Sequence, residues 1–415
     1  MSPIDAANSR VGRVLMLIEN APFPFDRRMR HFAEALRGAG YGVSVICPRG
    51  KEFDQSGYQE IDGTRVYRYP PLFQASGKLG YFLEYGWALF CLGVLSLLAW
   101  MRDGFDVIHC ANPPDLLFLI ASPFRLFGKK VVYDQHDLCP ELYESKFQRR
   151  GKVYRTLVFL ERQSYHTADL VISTNQSYRD IARERGNVGD ERSAIIRNGV
   201  DISRFHRRMP RPELKRQFSY MAAYLGVMGR QDGVDRVVHA AHHVVHTFGR
   251  RDVLFAMIGK GECWHELQRL SKELDVADCV AFLGHVSDDL LIDYLSTADL
   301  CMAPDPPDRM NQLSTMTKIM EYMACQRPIV SFDLLETRRS AGDAAIYVDH
   351  EDTKMFAQAM IGLLDDSAQR EKMGEIGLQR SIELVGLDRS RKALLEAYSR
   401  LLRNPAAVSQ VPELS

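Results

Sequence analysis

Residues 221–245 read MAAYLGVMGRQDGVDRVVHAAHHVV. The stretch opens with an apolar run over 221–227 of strand type, passes through the turn Gly226-Val227-Met228-Gly229-Arg230-Gln231-Asp232-Gly233, and continues as a helix from near Val234. Val234, Val237, Val238, Ala241, Val244, Val245 and Phe248 recur at helical spacing and form a core-facing stripe. Strand, glycine turn and helix in that order are the repeating unit of a parallel α/β sheet. Glycines at such a turn let backbone amides approach a phosphate, and the helix start adds partial positive charge. Gly226 and Gly229 are therefore candidate phosphate-side positions. The spacing is neither G-x-G-x-x-G nor G-x-x-x-x-G-K-[ST], so neither a dinucleotide nor a Walker site is indicated.

The same alternation extends in both directions. Strand-like runs fall at 13–18, 43–47, 64–69, 106–110, 130–134, 169–173 and 193–197, and again at 221–227, 252–258, 279–283, 299–303, 328–332 and 345–348. A polar stretch rich in Arg and Pro over 199–216 reads as a link between two Rossmann-like domains, with the ligand site expected in the cleft between them. The expected organisation is a first domain over 1–205, a second over 206–385, a C-terminal helix over 386–403 packing back on the first domain, and a flexible tail over 404–415.

The 415 residues are 46% hydrophobic and 26% charged, a globular composition long enough for two cores. Equal numbers of basic and acidic side chains, 53 each, exclude a protein that coats nucleic acid. The balance is uneven along the chain: residues 1–205 carry 27 basic and 23 acidic side chains, and residues 206–415 carry 26 and 30. The eight cysteines form no C-x-x-C pair and read as buried thiols of a reducing, cytoplasmic protein. Val14 to Ile18 is too short for a signal-peptide core and reads as a first strand.

One segment breaks the pattern. Residues 85–101, YGWALFCLGVLSLLAWM, are uncharged and carry two of the three tryptophans. A helix of that length is ~25 Å long, short of the ~30 Å bilayer core. Two readings stand: a buried crossover helix, or a helix lying in a membrane interface with Trp87 and Trp100 at headgroup level. The run 146–155 holds five basic residues and no acid, which favours peripheral contact with an anionic membrane.

Chemistry concentrates in Leu313-Ser314-Thr315-Met316-Thr317-Lys318-Ile319-Met320-Glu321-Tyr322-Met323-Ala324. Ser314, Thr315 and Thr317 are candidate caps of a helix whose Lys318 and Glu321 share a face. A carboxylate there accepts two ribose hydroxyls while the helix start and Lys318 hold a diphosphate, the binding logic of a nucleotide-activated substrate. By contrast, His239, His242, His243 and His246 share the helix face opposite the apolar stripe and read as solvated, with no metal expected.

As a set, these features resemble the retaining glycosyltransferases of family 4, which have the GT-B fold of two facing Rossmann-like domains. The resemblance runs through Asp26-Arg27-Arg28, Tyr133-Asp134-Gln135-His136-Asp137, Asn198-Gly199-Val200-Asp201, Gly226 to Asp235, and the Lys-x-x-Glu-Tyr-Met-Ala helix at 318–324. It implies transfer of a sugar from a nucleotide diphosphate sugar, with a UDP-sugar favoured, to a lipid-linked saccharide or polyprenyl-diphosphate acceptor at the cytoplasmic membrane face. It implies no cofactor and no metal, the leaving diphosphate assisting deprotonation of the acceptor. Carried across, Glu321 matches the ribose-binding glutamate of the family's E-x7-E motif, whose first glutamate falls on Leu313. Ser314, Thr315 and Met316 fall on the donor side with Gly226 and Gly229. The loop arginine and lysine of many members fall on Val227 and Asp232, so Arg230 and Lys318 are the expected substitutes. His136 matches the histidine near the donor sugar, and Asp26, Arg27 and Arg28 the acceptor loop. Rival readings are a GT-B sugar-nucleotide 2-epimerase and a nucleotide-sugar-binding scaffold without catalysis, the latter motivated by Leu313, Val227 and Asp232.

Overall fold

The computed structural model describes residues 11–50, 56–71, 77–349 and 351–403. The expected tail over 404–415 lies outside these residues. The chain divides into two compact units, residues 1–144, 148–197 and 390–415 in the first and residues 145–147 and 198–389 in the second.

In the first unit eight described strands are ordered β3-β4-β2-β1-β5-β6-β7-β8. They are β1 (Arg13–Leu17), β2 (Gly42–Pro48), β3 (Tyr58–Ile61), β4 (Thr64–Tyr69), β5 (Val107–Ala111), β6 (Lys130–Gln135), β7 (Leu170–Ser173) and β8 (Ser193–Ile195). All pairings are parallel except that of β3 with β4. Between the strands run α1 (Arg27–Gly38), α2 (Gly77–Arg102), α3 (Phe118–Arg125), α4 (Cys139–Phe147), α5 (Lys152–Thr167) and α6 (Gln176–Gly186). Period-two alternation sends the two faces of β1 into different cores. Val14, Met16 and Ile18 pack with α1 and with Leu394, Leu395 and Tyr398, whereas Leu15 and Leu17 pack with Ala88, Leu92 and Ala121 of α2 and α3.

The second unit carries a six-stranded parallel sheet ordered β11-β10-β9-β12-β13-β14. Its strands are β9 (Tyr220–Leu225), β10 (Val253–Ile258), β11 (Val280–Gly284), β12 (Leu300–Ala303), β13 (Ile329–Phe332) and β14 (Ala345–Val348). Its helices are α7 (Asp235–His242), α8 (Trp264–Glu273), α9 (Asp288–Thr297), α10 (Arg309–Leu313), α11 (Thr317–Ala324), α12 (Leu335–Ala341), α13 (Thr353–Asp365) and α14 (Ser367–Arg380), followed by α15 (Leu387–Leu402). From Ser390 onward α15 belongs to the first unit.

Two expectations change. The boundary falls at Arg197/Asn198 and not at 205, because Val200 and Phe205 are buried in the core of the second unit. The apolar helix is longer than residues 85–101: α2 has 26 residues, or ~39 Å. Lys78 and Glu84 lie within it, since single charges on an otherwise apolar helix do not stop its backbone. Nor is it buried all round. Ala88, Cys91, Leu92, Ser96 and Ala99 face the sheet, while Phe90, Val94, Leu97, Leu98 and Met101 are exposed at i, i+4, i+7, i+8 and i+11.

Candidate active site

In the second unit the site grows from the turn after β9. Gly226 has φ +154°, and a Cβ there would stand 2.9 Å from the Tyr224 hydroxyl, which donates to Val227 O at 2.7 Å. A second glycine turn, Gly259-Lys260-Gly261 after β10, presses against the first. A Cβ on Gly259 would collide with Gly226 O and one on Gly261 with Met228 O, and Met228 N donates to Lys260 O at 3.2 Å. Gly229 N donates to Asp232 Oδ2 at 3.0 Å. Burial pushes the Asp232 carboxyl up to about 6 despite the opposing pull of Lys318.

α11 runs beneath this turn. Tyr322 fixes it there, its hydroxyl accepting from Leu225 N at 2.7 Å and donating to Met302 O at 3.2 Å. Met316 holds the N-cap position, and its side chain makes no capping hydrogen bond. The N-cap position expected of Ser314, Thr315 or Thr317 thus falls to another residue: Thr317 is already the first helical residue, and the Thr315 hydroxyl lies 3.5 Å from Glu336 Oε2. Lys318 and Glu321 are both buried one turn apart.

Lys318, expected to balance a leaving diphosphate, already faces a carboxylate. Its Nζ is 2.7 Å from Asp305 Oδ1 and 4.9 Å from the centre of the Tyr224 ring, with Asp305 fully buried. Arg230, paired with it in the sequence reading, is held elsewhere. Its side chain is 80% exposed, its Nη2 3.8 Å from Glu266 Oε2 of α8, and it lines a hollow with Val234, Cys263 and Leu267 from which Lys318 is absent. The structure therefore brings Gly226, Lys318 and Glu321 to one strand-end region and leaves Arg230 on the α8 side.

In the first unit the corresponding strand ends carry a buried charge network. Asp26 caps α1, its Oδ1 accepting from Met29 N at 3.0 Å, and Arg27 is exposed beside it. Arg28 turns inward and grips Asp134 with both arms, Nε to Oδ2 at 2.9 Å and Nη2 to Oδ1 at 2.7 Å, while Nη1 donates to Ile196 O at 3.0 Å. Its place is therefore in holding Asp134, and of the three acceptor-loop residues Arg27 alone keeps an exposed side chain.

Asp134 has 0% exposure and also faces His109 Nε2 at 3.6 Å and His136 Nδ1 at 3.8 Å. Burial alone would raise its pKa, but Arg28 and the two histidines outweigh it and hold the carboxyl well below the ordinary value. For His136, burial opposes the imidazolium, and Asp134 with Asp137 overcomes it, so its pKa is raised. With Nδ1 turned to Asp134, Nε2 is the outward nitrogen. His109 Nδ1 meets the Tyr398 hydroxyl of α15 at 2.7 Å.

Asp305, His109, Tyr398 and the Gly259/Gly261 turn take part without standing out in the sequence. Only the turn carries a signal, a G-x-G directly after an apolar run. Of the helical histidines, His242 and His246 lie with ring centres 4.7 Å apart, each engaged by backbone, His242 Nδ1 with Leu274 O and His246 Nε2 with Asp275 O at 3.0 Å. Among the described residues no three His, Cys, Asp or Glu side chains gather as a metal would require.

A model of the family described as glycosyltransferase family 4 matches residues 26–204, and one described as glycosyl transferases group 1 matches residues 220–366. A phosphatidyl-myo-inositol mannosyltransferase of Mycolicibacterium smegmatis is 26% identical over 87% of this chain and 86% of its own. A D-inositol 3-phosphate glycosyltransferase of Thermomonospora curvata and an alpha-D-kanosaminyltransferase of Streptomyces kanamyceticus are matched over 48% and 42% of their own length. Among solved structures, a sucrose-phosphate synthase from Thermosynechococcus elongatus shares the fold at TM-score 0.75 and 19% identity, covering 94% of this chain and 99% of that one. The Anabaena HepE protein in complex with UDP does so at TM-score 0.69 and 15% identity, covering 93% and 99%. With two parallel α/β units and one family match centred on each, the chain belongs to the family 4 glycosyltransferases of GT-B architecture.

Proposed function

We propose that this glycosyltransferase transfers a sugar, with retention and without a metal, from a UDP-sugar to a lipid-linked saccharide or polyprenyl-diphosphate acceptor at the inner face of the cytoplasmic membrane. The observation that carries the donor assignment is α11. Gly226 lies within reach of its Lys318, and the buried Glu321 follows one turn after its first residue. Helix-start amides suit a diphosphate, and a carboxylate suits a ribose diol. UDP is the nucleotide in the HepE complex. His136 acts at the sugar, its outward nitrogen orienting a hydroxyl or balancing positive charge at the anomeric carbon. The departing diphosphate takes the acceptor proton on the face from which it leaves, so no enzyme nucleophile is required.

The exposed apolar stripe of α2 favours a lipid-linked acceptor. It continues into Leu126, 88% exposed, and Phe127, whose ring lies 4.9 Å from Trp100. Lys146, Arg149, Arg150, Lys152 and Arg155 are all exposed. An apolar stripe together with exposed cations fits an anionic membrane surface, with residues 85–101 and 146–155 as the contact. The mannosyltransferase relative is named for a lipid substrate.

The test is a thermal-shift screen of UDP- and GDP-sugars, followed by release of nucleoside diphosphate with and without a polyprenyl-diphosphate saccharide. A single UDP-sugar should raise the melting temperature, and release should require acceptor. A GDP-sugar as sole stabiliser overturns the donor, and release without acceptor overturns transfer to a lipid-linked saccharide. A second reading, a binding scaffold without catalysis, draws on Leu313 and on the neutralisation of Lys318 by Asp305. It predicts donor binding with no release under either condition.

A further inference from the structure

The loop bearing His136 is fixed by a residue from a different strand end. Asn112 follows β5, is 1% exposed, and reaches across to the turn after β6. Its Oδ1 accepts from two consecutive backbone amides, His136 N at 2.8 Å and Asp137 N at 3.1 Å. Its Nδ2 returns a hydrogen bond to Asp137 O at 2.8 Å and also reaches Asp115 Oδ1 at 3.0 Å. Its own backbone N donates to Asp134 O at 3.1 Å. One side-chain amide thus satisfies both the donors and the acceptor of a two-residue turn, which water or a hydroxyl would do with less directional control.

The carboxylate below it completes the arrangement. Asp115 Oδ1 accepts from Asn112 and from the Tyr133 hydroxyl at 2.5 Å, and this places the amide nitrogen of Asn112 on the Asp115 side and its oxygen toward His136. Two residues thus bear on His136 in different ways: Asn112 hydrogen-bonds its backbone, and Asp134 faces its ring at ion-pair distance, 3.8 Å from Nδ1.

We propose that Asn112 is a positioning residue for His136: it sets the backbone from which Asp134 then orients the ring, so that Nε2 points at the reacting sugar. The inference rests on the role given to His136 above. Asn112 itself touches no substrate.

The experiment compares Asn112→Ala, Asn112→Asp and His136→Ala by steady-state kinetics with donor and acceptor, alongside thermal unfolding and donor binding. Asn112→Ala should lower kcat about 100-fold, the loss typical of a misplaced catalytic group, with donor KM changed by less than about threefold. Asn112→Asp keeps the acceptor for both amides but loses the donors to Asp137 O and Asp115, so it should recover part of kcat. The pH dependence of kcat should shift in Asn112→Ala, because the distance between His136 and Asp134 governs the imidazole's pKa. A merely structural role would lower the melting temperature and leave both the kcat/KM split and the pH profile as in the parent protein; that result overturns the proposal. If His136→Ala retains full kcat, the reading of His136 fails. If His136→Ala is inactive while Asn112→Ala keeps its kcat and pH profile, His136 stands and the Asn112 proposal falls.

Discussion

Replacing Asp134 by Asn tests whether the buried charge network is held together as the distances indicate. The carboxylate is fully buried and the Arg28 side chain is 8% exposed, so the variant removes the charge that both arms of a buried guanidinium grip. Removing one partner of such a pair costs about 3–5 kcal/mol. Coulomb's law gives a similar figure, about 4 kcal/mol for unit charges about 4 Å apart at an effective dielectric of about 20. For a unit of this size each kcal/mol lowers the melting temperature by about 2–4 °C, so a fall of about 6–20 °C is expected. The sign of the pH dependence follows from the depressed pKa. Asp134 stabilises the fold fully above the unfolded carboxyl value of about 3.9 and loses that contribution as the pH falls further through its folded value. The penalty of Asp134→Asn should accordingly be full at pH 7 and shrink below about pH 4. The assay is urea unfolding at both pH values, with Arg28→Met/Asp134→Leu as the second variant. An apolar pair removes both buried charges together, so it should recover most of the loss. A penalty at pH 7 below about 1 kcal/mol, the level of a surface pair, would refute the reasoning, as would a double variant no better than the single one.

Glu321→Gln should weaken donor binding about 10- to 100-fold, the worth of a charge-assisted hydrogen bond, as measured by titration calorimetry. An unchanged affinity would remove Glu321 from the ribose. Leu97→Asp/Leu98→Asp should abolish co-sedimentation with phosphatidylglycerol vesicles while leaving the melting temperature within a few degrees, because both side chains already face outward; retained sedimentation would exclude this stripe. Asp232, raised to about 6 by burial, should erode stability as pH rises from about 4 to about 6, the deprotonated form being the one the fold disfavours. Asp232→Asn should flatten stability across that interval in calorimetric scans, and an unaltered slope would count against a buried carboxyl there.

The architecture was legible wherever one local signal sufficed. Apolar runs at the spacing of strands, glycine turns and helical stripes located thirteen of the strands, because strands buried on both faces must be apolar throughout. β3 was not foreseen, being a polar edge strand, yet Asp62-Gly63, with φ of 46° and 76°, is the turn that joins it to β4. The sites were less legible, because their partners are distant in sequence. Lys318 reads as a free cation until Asp305 is seen beside it, and Arg28 as an acceptor contact until Asp134 is found 106 residues away. His109, inside an apolar strand, shows no role until Tyr398 and Asp134 flank it. The longer reach of α2, and the exposure of its apolar side, are tertiary facts: periodicity cannot say which face of a helix that is apolar all round finds a partner.

Tyr398, bonded to His109 from the far end of the chain, bears on the order of events at the ribosome. Leu394, Leu395, Ala397 and Tyr398 fill the same core as β1 and α1, so β1 and α1 lack part of their interior until α15 has been made. The second unit, contiguous apart from three residues, has no such dependence. During synthesis it should reach its native state first, while the segment translated earlier waits as an incomplete intermediate with an open apolar surface.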